Sequence, residues 1–195
     1  AAYHEAGSAL AKAREAELLA MPETKDLPVG FSAGGSGAGK SFALRGVGYD
    51  LQNGFALIHD TNLNNIKSAI TKIERAVASG RKVEIMYVYR DPLTAYAEGV
   101  IPRVRTQDRI VPIKDHIETH MGVRPTLEKI EKAYPSSKVE IRSILNTGKK
   151  GELRNVNSLA EVPKIKYTKT ELRNKLYEVL KDAHATGKIT AEEFK

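Results

Sequence analysis

The chain has 195 residues, of which 41% are hydrophobic, and this length supports one well-buried core rather than two enzyme domains. It contains no cysteine, which excludes disulfides and cysteine-based metal sites or nucleophiles. It also contains no apolar run of the roughly 20 residues that would span a bilayer. We therefore expect a cytoplasmic protein that has no membrane partner.

The formal net charge is +7, from 31 Lys plus Arg against 24 Asp plus Glu, and it favours anionic partners. Aromatic residues make up only 6% of the chain, and no run of Lys and Arg is interleaved with residues that stack on bases. We therefore do not expect a nucleic-acid partner, although the charge leaves open a kinase that acts on nucleic-acid ends. The chain begins at Ala1 rather than Met, so we expect a fragment or a processed product.

The chain divides into three expected units. Residues 1–26 predict a surface helix and a polar connector, because the helical stretch is rich in Ala, Glu and Lys and has only a thin apolar stripe. Residues 27–155 predict a core in which strands alternate with helices. Residues 156–195 predict a C-terminal extension with one helix, capped by Thr170 and ended by Gly187.

The most specific motif opens the core and fits the phosphate-binding pattern G-x-x-x-x-G-K-[ST] at every fixed position. Glycines in such a loop let backbone N–H groups turn towards phosphate oxygens, which a Cβ would obstruct. An apolar strand precedes the loop and a helix follows it, which is the order that the motif requires. The residues predicted to hold a nucleoside triphosphate are Gly35, Ser36, Gly37, Ala38, Gly39, Lys40 and Ser41.

Within this loop, Lys40 is expected to reach the β- and γ-phosphates, and the Ser41 hydroxyl is expected to bind Mg²⁺. The alternative interpretation of a run rich in Gly and Ser is a flexible linker.

A carboxylate follows the next expected strand, residues 55–60, which is apolar enough to be buried. Asp60 ends this strand and is therefore expected at the carboxyl edge of a parallel sheet, where it is a candidate for binding Mg²⁺ and for acting as a base. Thr61 and Asn62 follow directly, so the alternative is that Asp60 only caps the next helix or turns the chain.

Further along, residues 66–77 carry an apolar stripe at helical spacing, and residues 81–90 form the clearest strand. This strand is apolar on both sides, which predicts a central position under helices. A fourth strand is expected at residues 138–145.

Three arginines, Arg103, Arg105 and Arg109, fall within seven residues after this central strand. Planar guanidinium groups are suited to stabilising charge on a transferring phosphoryl group, and a solvated basic loop is the alternative. His116 and His120 follow on an expected helix at a spacing that can bind a metal, but the sequence offers no third ligand.

Together these features predict an α/β fold of the P-loop NTPase and kinase type, a three-layer sandwich with a mostly parallel central sheet and flanking helices. The phosphate loop and the run from Phe55 to Leu145 resemble the zeta toxins of bacterial toxin-antitoxin systems. The resemblance covers about two-thirds of the chain and lies in the order and spacing of FALIHDTN, KVEIMYVYRDP, IPRVR, RIVPIKDHIETH and KVEIRSIL.

This resemblance implies an ATP- and Mg²⁺-dependent kinase that phosphorylates a sugar hydroxyl of a nucleotide sugar, UDP-N-acetylglucosamine, and it implies an antitoxin protein as a partner. Lys40 and Ser41 match the family residues that hold the β/γ-phosphates and Mg²⁺. Arg103 and Arg109 fall where the family has arginines that face the transferring phosphate. Thr61 matches a threonine that touches the sugar substrate.

One interval departs from the family. Members carry a further strand and helix after the phosphate-loop helix, and that strand ends in the catalytic base, whereas here only the 13 residues from Phe42 to Gly54 are present. Either the base is absent, or Asp60 or Asp50 replaces it, or a segment is missing from this sequence. A non-catalytic ATP-binding module of a larger phage or mobile-element protein is therefore the alternative to an active kinase. The catalytic set predicted for the kinase is Lys40, Asp60, Arg103 and Arg109.

Overall fold

The structure is a computed structural model that describes residues 2–107, 110–147 and 152–194. Its five strands are β1 (Val29–Ala33), β2 (Leu57–Asp60), β3 (Val83–Tyr89), β4 (Val139–Asn146) and β5 (Leu153–Val156). They form one sheet in the order β2-β1-β3-β4-β5. The first four strands run parallel, and β5 pairs antiparallel with β4.

Seven α-helices surround this sheet in the described part of the chain. They are α1 (Ala2–Ala20), α2 (Lys40–Gly46), α3 (Ile66–Ala78), α4 (Pro92–Ala95), α5 (Ile101–Gln107), α6 (Ile113–Ala133) and α7 (Lys169–Ala185). One turn of π-helix, Tyr96–Val100, joins α4 to α5. Within the described residues, no helix is both long and apolar enough to cross a membrane.

Helices cover both faces of the sheet because its central strand is apolar on both sides. On one face, Ile85 of β3 packs in a core with Ile73 of α3 and Leu127 of α6. On the other face, Met86 of β3 packs with Leu44 of α2. The central strand and the α/β fold predicted from the sequence are thereby confirmed, and the predicted fourth strand is β4.

The second strand is shorter and less buried than predicted. It begins at Leu57 instead of Phe55, and its four residues are half-buried or exposed. The reason is its place at the edge of the sheet, where it pairs only with β1. The interval between α2 and β2, residues 47–56, contains neither a helix nor a strand, so β2 is the first strand after the phosphate loop.

The last helix begins two residues earlier than predicted. Thr168 is its N-cap, and the Thr168 side chain and Glu171 form a reciprocal capping box. Its buried face, which includes Leu172 and Leu176, packs against Ile117 of α6 and Tyr96 of the π-turn. The C-terminal helix thus packs against the elements that lie beside the phosphate loop.

The first of the clustered arginines lies on a helix and not in the predicted loop. Asp91 accepts hydrogen bonds from the N–H groups of Leu93 and Thr94, and Pro92 occupies the first turn, so helical structure starts immediately after β3. It continues through the π-turn into α5, which carries Arg103.

Candidate functional site

The phosphate loop connects β1 to α2 at the carboxyl edge of the sheet. Gly37 and Gly39 adopt positive φ angles of 74° and 80°, a backbone conformation that favours glycine. A Cβ on Gly37 would lie 2.4 Å from the Ala95 carbonyl oxygen, so α4 leaves no room for a larger residue. The loop therefore joins a buried strand to the amino end of a helix with glycines at its left-handed positions, which is the arrangement that cradles phosphate oxygens.

Three side chains from other elements hold this loop. Thr119 Oγ1 of α6 accepts a hydrogen bond from the Ser36 N–H at 3.2 Å, and His120 Nε2 donates to the Ser36 carbonyl at 2.9 Å. From the end of β4, Asn146 Nδ2 donates to the Ala38 carbonyl at 2.9 Å. These contacts hold the loop from the α6 side and from the β4 side.

The two histidines of α6 are neutral donors in this arrangement. His116 Nε2 donates to the Pro92 carbonyl at 2.8 Å, as His120 Nε2 does to Ser36. Burial lowers the pKa of His116 to about 4 and the pKa of His120 to about 3. Their four-residue spacing therefore serves to hold α4 and the phosphate loop, since both Nε2 atoms already bind carbonyl oxygens.

The candidate lysine points along the sheet edge towards the segment that follows β2. Lys40 Nζ donates a hydrogen bond to Asn62 Oδ1 at 2.8 Å. Asp60 lies beside Ser32 in the strand register, and its Oδ1 accepts a hydrogen bond from Ser32 Oγ at 2.6 Å. The structure thus places an exposed carboxylate and an amide at the same edge as the phosphate loop.

Two other predicted residues, Asp60 and Arg103, act electrostatically on Lys40. Burial lowers the pKa of the Lys40 ammonium group, the negative charge of Asp60 opposes this shift, and the positive charge of Arg103 lowers the pKa further. Arg103 is exposed on α5 and is therefore free to meet an incoming anion. The predicted partner Arg109 lies outside the described residues.

The remaining predicted residues lie close by. Ser41 is exposed in the first turn of α2. Thr61 is half-buried, and its Oγ1 accepts a hydrogen bond from the Leu63 N–H at 3.1 Å. Leu63 has a φ of 53°, which is rare for a leucine, and its side chain is buried in the core. This strained turn directs Asn62 towards Lys40.

Sequence reasoning missed four residues of this site: Asn62, Thr119, His120 as a loop contact, and Asn146. Asn62 lies two residues after the candidate carboxylate Asp60, but no sequence pattern predicted its hydrogen bond with Lys40. The spacing of His116 and His120 indicated that both lie on one face of α6. It did not indicate that this face contacts the phosphate loop.

A glycine loop between a parallel strand and a helix, with a lysine and a carboxylate at the same sheet edge, defines a P-loop protein of the α/β class. The zeta toxin family model matches residues 47–158, which is more than half of the chain, and the chain belongs to this family. The match begins beyond the phosphate loop, so the loop is an independent observation. The resemblance predicted from the sequence is confirmed, and the known members of the family are kinases.

Two solved structures are similar to the chain. A chain of the crystal structure of AvrRxo1-ORF1:AvrRxo1-ORF2 with sulphate ions aligns with a TM-score of 0.53 and 15% identity, covering 76% of this chain and 65% of that chain. A chain of the PezAT chromosomal toxin-antitoxin system of Streptococcus pneumoniae aligns with a TM-score of 0.45 and 13% identity, covering 88% of this chain and 96% of that chain. The first of these shows a shared fold.

This chain therefore spans about two-thirds of the length of the AvrRxo1 chain that it matches. No curated protein matches it.

Proposed function

We propose that the protein is an ATP- and Mg²⁺-dependent kinase that transfers the γ-phosphoryl group of ATP to a hydroxyl of a nucleotide sugar. The observation that carries the proposal is that the phosphate loop with Lys40 lies at the same sheet edge as Asp60, and that the charges of Asp60 and Arg103 both act on the Lys40 ammonium group. A cation in the loop, a second cation on a neighbouring helix and a carboxylate at the sheet edge are the groups that phosphoryl transfer uses.

The loop fits a triphosphate because Gly37 and Gly39 hold the positive φ angles by which the backbone N–H groups of such a loop turn towards phosphate oxygens. In the proposed complex the loop N–H groups and Lys40 bind the β- and γ-phosphates, and Arg103 and Arg109 stabilise the charge of the transferring group. Mg²⁺ would be held by Ser41, and it would neutralise charge on the phosphate oxygens.

Asp60 orients the acceptor in this proposal. Because its Oδ1 accepts the Ser32 hydroxyl proton, Oδ2 is the oxygen available to a hydroxyl group of the substrate. The acceptor oxygen attacks the γ-phosphorus, the bond from the γ-phosphorus to the bridging oxygen of ADP breaks, and the acceptor proton passes to the carboxylate.

The proposed acceptor is UDP-N-acetylglucosamine, in accordance with the family resemblance, and Thr61 is the residue proposed to touch its sugar. An antitoxin protein is the proposed macromolecular partner, because membership of the zeta toxin family implies one.

The test is incubation of the protein with ATP, Mg²⁺ and a panel of UDP-sugars and nucleosides, with mass spectrometry of the acceptors. We expect a phosphorylated nucleotide sugar, and we expect Lys40→Ala to abolish the product because the loop loses the cation that binds the phosphates. Lys138→Ala is the matched control, since this exposed lysine lies at the opposite end of the sheet, before β4. Loss of product in both variants would show that the loop lysine has no special role.

One observation favours a second function, a module that binds ATP without catalysis. The side chain in direct contact with Lys40 is the amide of Asn62, and an amide cannot accept a proton from a substrate hydroxyl. This function predicts that ATP binds and that no acceptor in the panel is phosphorylated.

A further inference from the structure

A cavity of about 210 Å³ lies behind the phosphate loop, between the end of β3, α6 and the segment before α7. The ring of His120 forms one of its walls and also contacts Gly35 of the loop. The His120 ring therefore separates the cavity from the loop, and the cavity belongs to neither the loop nor the edge that carries Asp60.

The walls of this cavity suit a flat ring. Pro125 and Pro163 lie on its sides together with other apolar side chains, and the space is open to solvent at one end. An apolar cavity of about 150 Å³ is enough to hold benzene. The volume therefore fits a single six-membered ring with small substituents.

Two tyrosines supply polar groups inside the cavity. Tyr87 is only 2% exposed and its hydroxyl has no hydrogen-bond partner among the described residues. Burial raises the pKa of Tyr87 and of Tyr89, so both remain neutral phenols that can donate a hydrogen bond. The Tyr87 hydroxyl is not among the fully buried unpaired polar atoms of the described residues, so it is accessible and can donate a hydrogen bond to an acceptor atom of a bound ligand.

The mouth of the cavity carries two cations. Arg124 is fixed there because its Nε donates to Glu128 at 2.9 Å and its Nη1 donates to the Val162 carbonyl at 2.5 Å. Lys164 lines the same cavity from the opposite side and is exposed. Glu128 balances one of these charges, so a net positive charge remains.

We propose that this cavity is a second ligand site, which binds a small aromatic ring that carries an anionic group. The apolar walls take the ring, the Tyr87 hydroxyl donates to an acceptor atom of the ring, and Lys164 meets the negative charge at the mouth. The base of a nucleoside monophosphate, with its ribose phosphate outside the cavity, and an aromatic carboxylate share this chemistry.

The proposal is tested by calorimetric titration with two matched pairs of probes. The titrations use the Lys40→Ala protein, because its phosphate loop should bind phosphate groups more weakly. The probe pairs are uridine monophosphate with uridine, and nicotinate with nicotinamide, whose ring nitrogen can accept a hydrogen bond. We expect at least one charged probe to bind more tightly than its uncharged counterpart. The pair that binds identifies whether the ligand is a nucleotide or an aromatic acid.

Two further variants test whether the probe binds in this cavity. Tyr87→Phe removes one hydroxyl and should weaken binding about three- to tenfold, the range expected for one hydrogen bond, whereas Tyr134→Phe on the same domain should not. Lys164→Glu should weaken the charged probe several-fold more than Lys166→Glu, because Lys166 does not line the cavity.

The proposal is overturned if none of the four probes binds at millimolar concentration, or if both Tyr87→Phe and Lys164→Glu keep the affinity of the parent protein. Lys164 is exposed, so its substitution remains informative even where Tyr87→Phe fails to fold. Because the titrations use the Lys40→Ala protein and no ATP, their outcome is independent of whether the chain is a kinase.

Discussion

Asp60 ends β2 and Asn62 follows two residues later, and the two side chains have different roles at the sheet edge. Asn62 holds Lys40 through its amide oxygen, while Asp60 is fixed by Ser32 and keeps a carboxylate at the surface. Only the carboxylate can take a proton from an acceptor hydroxyl. The proposed kinase activity therefore depends on Asp60.

Replacing Asp60 by Asn should lower kcat by about 10²- to 10⁴-fold, which is the usual contribution of a general base, and should leave a measurable affinity for ATP. The measurement is steady-state kinetics together with equilibrium binding of ATP. Asp50→Asn is the control, because the Asp50 carboxylate only accepts hydrogen bonds from the Gln52 and Asn53 N–H groups of its own loop. A larger loss of kcat in Asp50→Asn would assign the base to Asp50.

Gly37 offers a test of the loop geometry at a single position. Gly37→Ala should abolish ATP binding, because the new Cβ would lie 2.4 Å from the Ala95 carbonyl oxygen and would displace the loop. Gly80→Ala is a matched control, since Gly80 has a similar positive φ of 80° but nothing within 4 Å of the added Cβ. Equal ATP affinities in the two variants would contradict the proposed role of the loop.

At this scale the sequence predicted the residues whose identity alone defines a motif, and it missed those that act through contacts. The loop residues are recognisable because their spacing is fixed by phosphate geometry. Asn62 and Asn146 are not, because they contact residues 22 and 108 positions away along the chain. Such contacts depend on the tertiary fold, which no local pattern encodes.

Among the elements, α6 has the clearest influence on the site, since Thr119 and His120 bind the loop and His116 binds the start of α4. The two histidines serve as buried neutral donors. Protonating either would place an unpaired charge in the core, so the helix couples the shape of the loop to pH.

The free energy of unfolding should therefore fall as the pH is lowered from 7 to about 4. The pKa values of His116 and His120, about 4 and about 3, lie below the value of about 6.5 in the unfolded chain, so the unfolded state binds more protons in this window. Each histidine contributes a slope of up to about 1.4 kcal/mol per pH unit. The measurement is urea unfolding at several pH values.

The variant His120→Asn separates the histidine contribution to the pH dependence of stability from the contribution of carboxylates that also titrate in acid. Asparagine keeps an N–H donor but does not titrate, so the slope of stability against pH should decrease by about one proton between pH 5 and 6. An unchanged slope in this variant would show that His120 is not a buried neutral group.

The structure differs from the sequence-based predictions at the start of α7, at β2 and at the arginine segment. Thr170 was predicted to cap α7, yet Thr168 does so, because Glu171 lies three residues after Thr168 and completes the capping box. The place of β2 at the sheet edge had no local signal, since apolarity alone does not distinguish a central strand from a half-covered one. The arginines were predicted in a loop because the Pro92 helix start and the π-turn were not recognised as one helical segment.

For the molecule as a whole, the fold and the family agree, and the departure lies in the short interval between α2 and β2. Residues 47–56 lead directly from the phosphate-loop helix to the strand that carries Asp60. The sheet therefore brings a carboxylate beside the loop without an additional strand. This arrangement is why we propose catalysis in spite of the short interval.

A module that binds ATP without catalysis and a kinase differ in one expected outcome, which is the transfer of the γ-phosphoryl group to an acceptor. Both functions predict that ATP binds to the loop and that Lys40→Ala weakens this binding. Binding measurements alone therefore cannot distinguish the two functions, and a measurement of product is needed.

The most direct test is to incubate the protein with ATP, Mg²⁺ and UDP-N-acetylglucosamine and to quantify ADP and the phosphorylated sugar nucleotide in the same sample. The account predicts that both products form in equal amounts, and that neither forms with Lys40→Ala or Asp60→Asn. It is contradicted if the protein binds ATP with normal affinity and yet phosphorylates neither this acceptor nor any other nucleotide sugar.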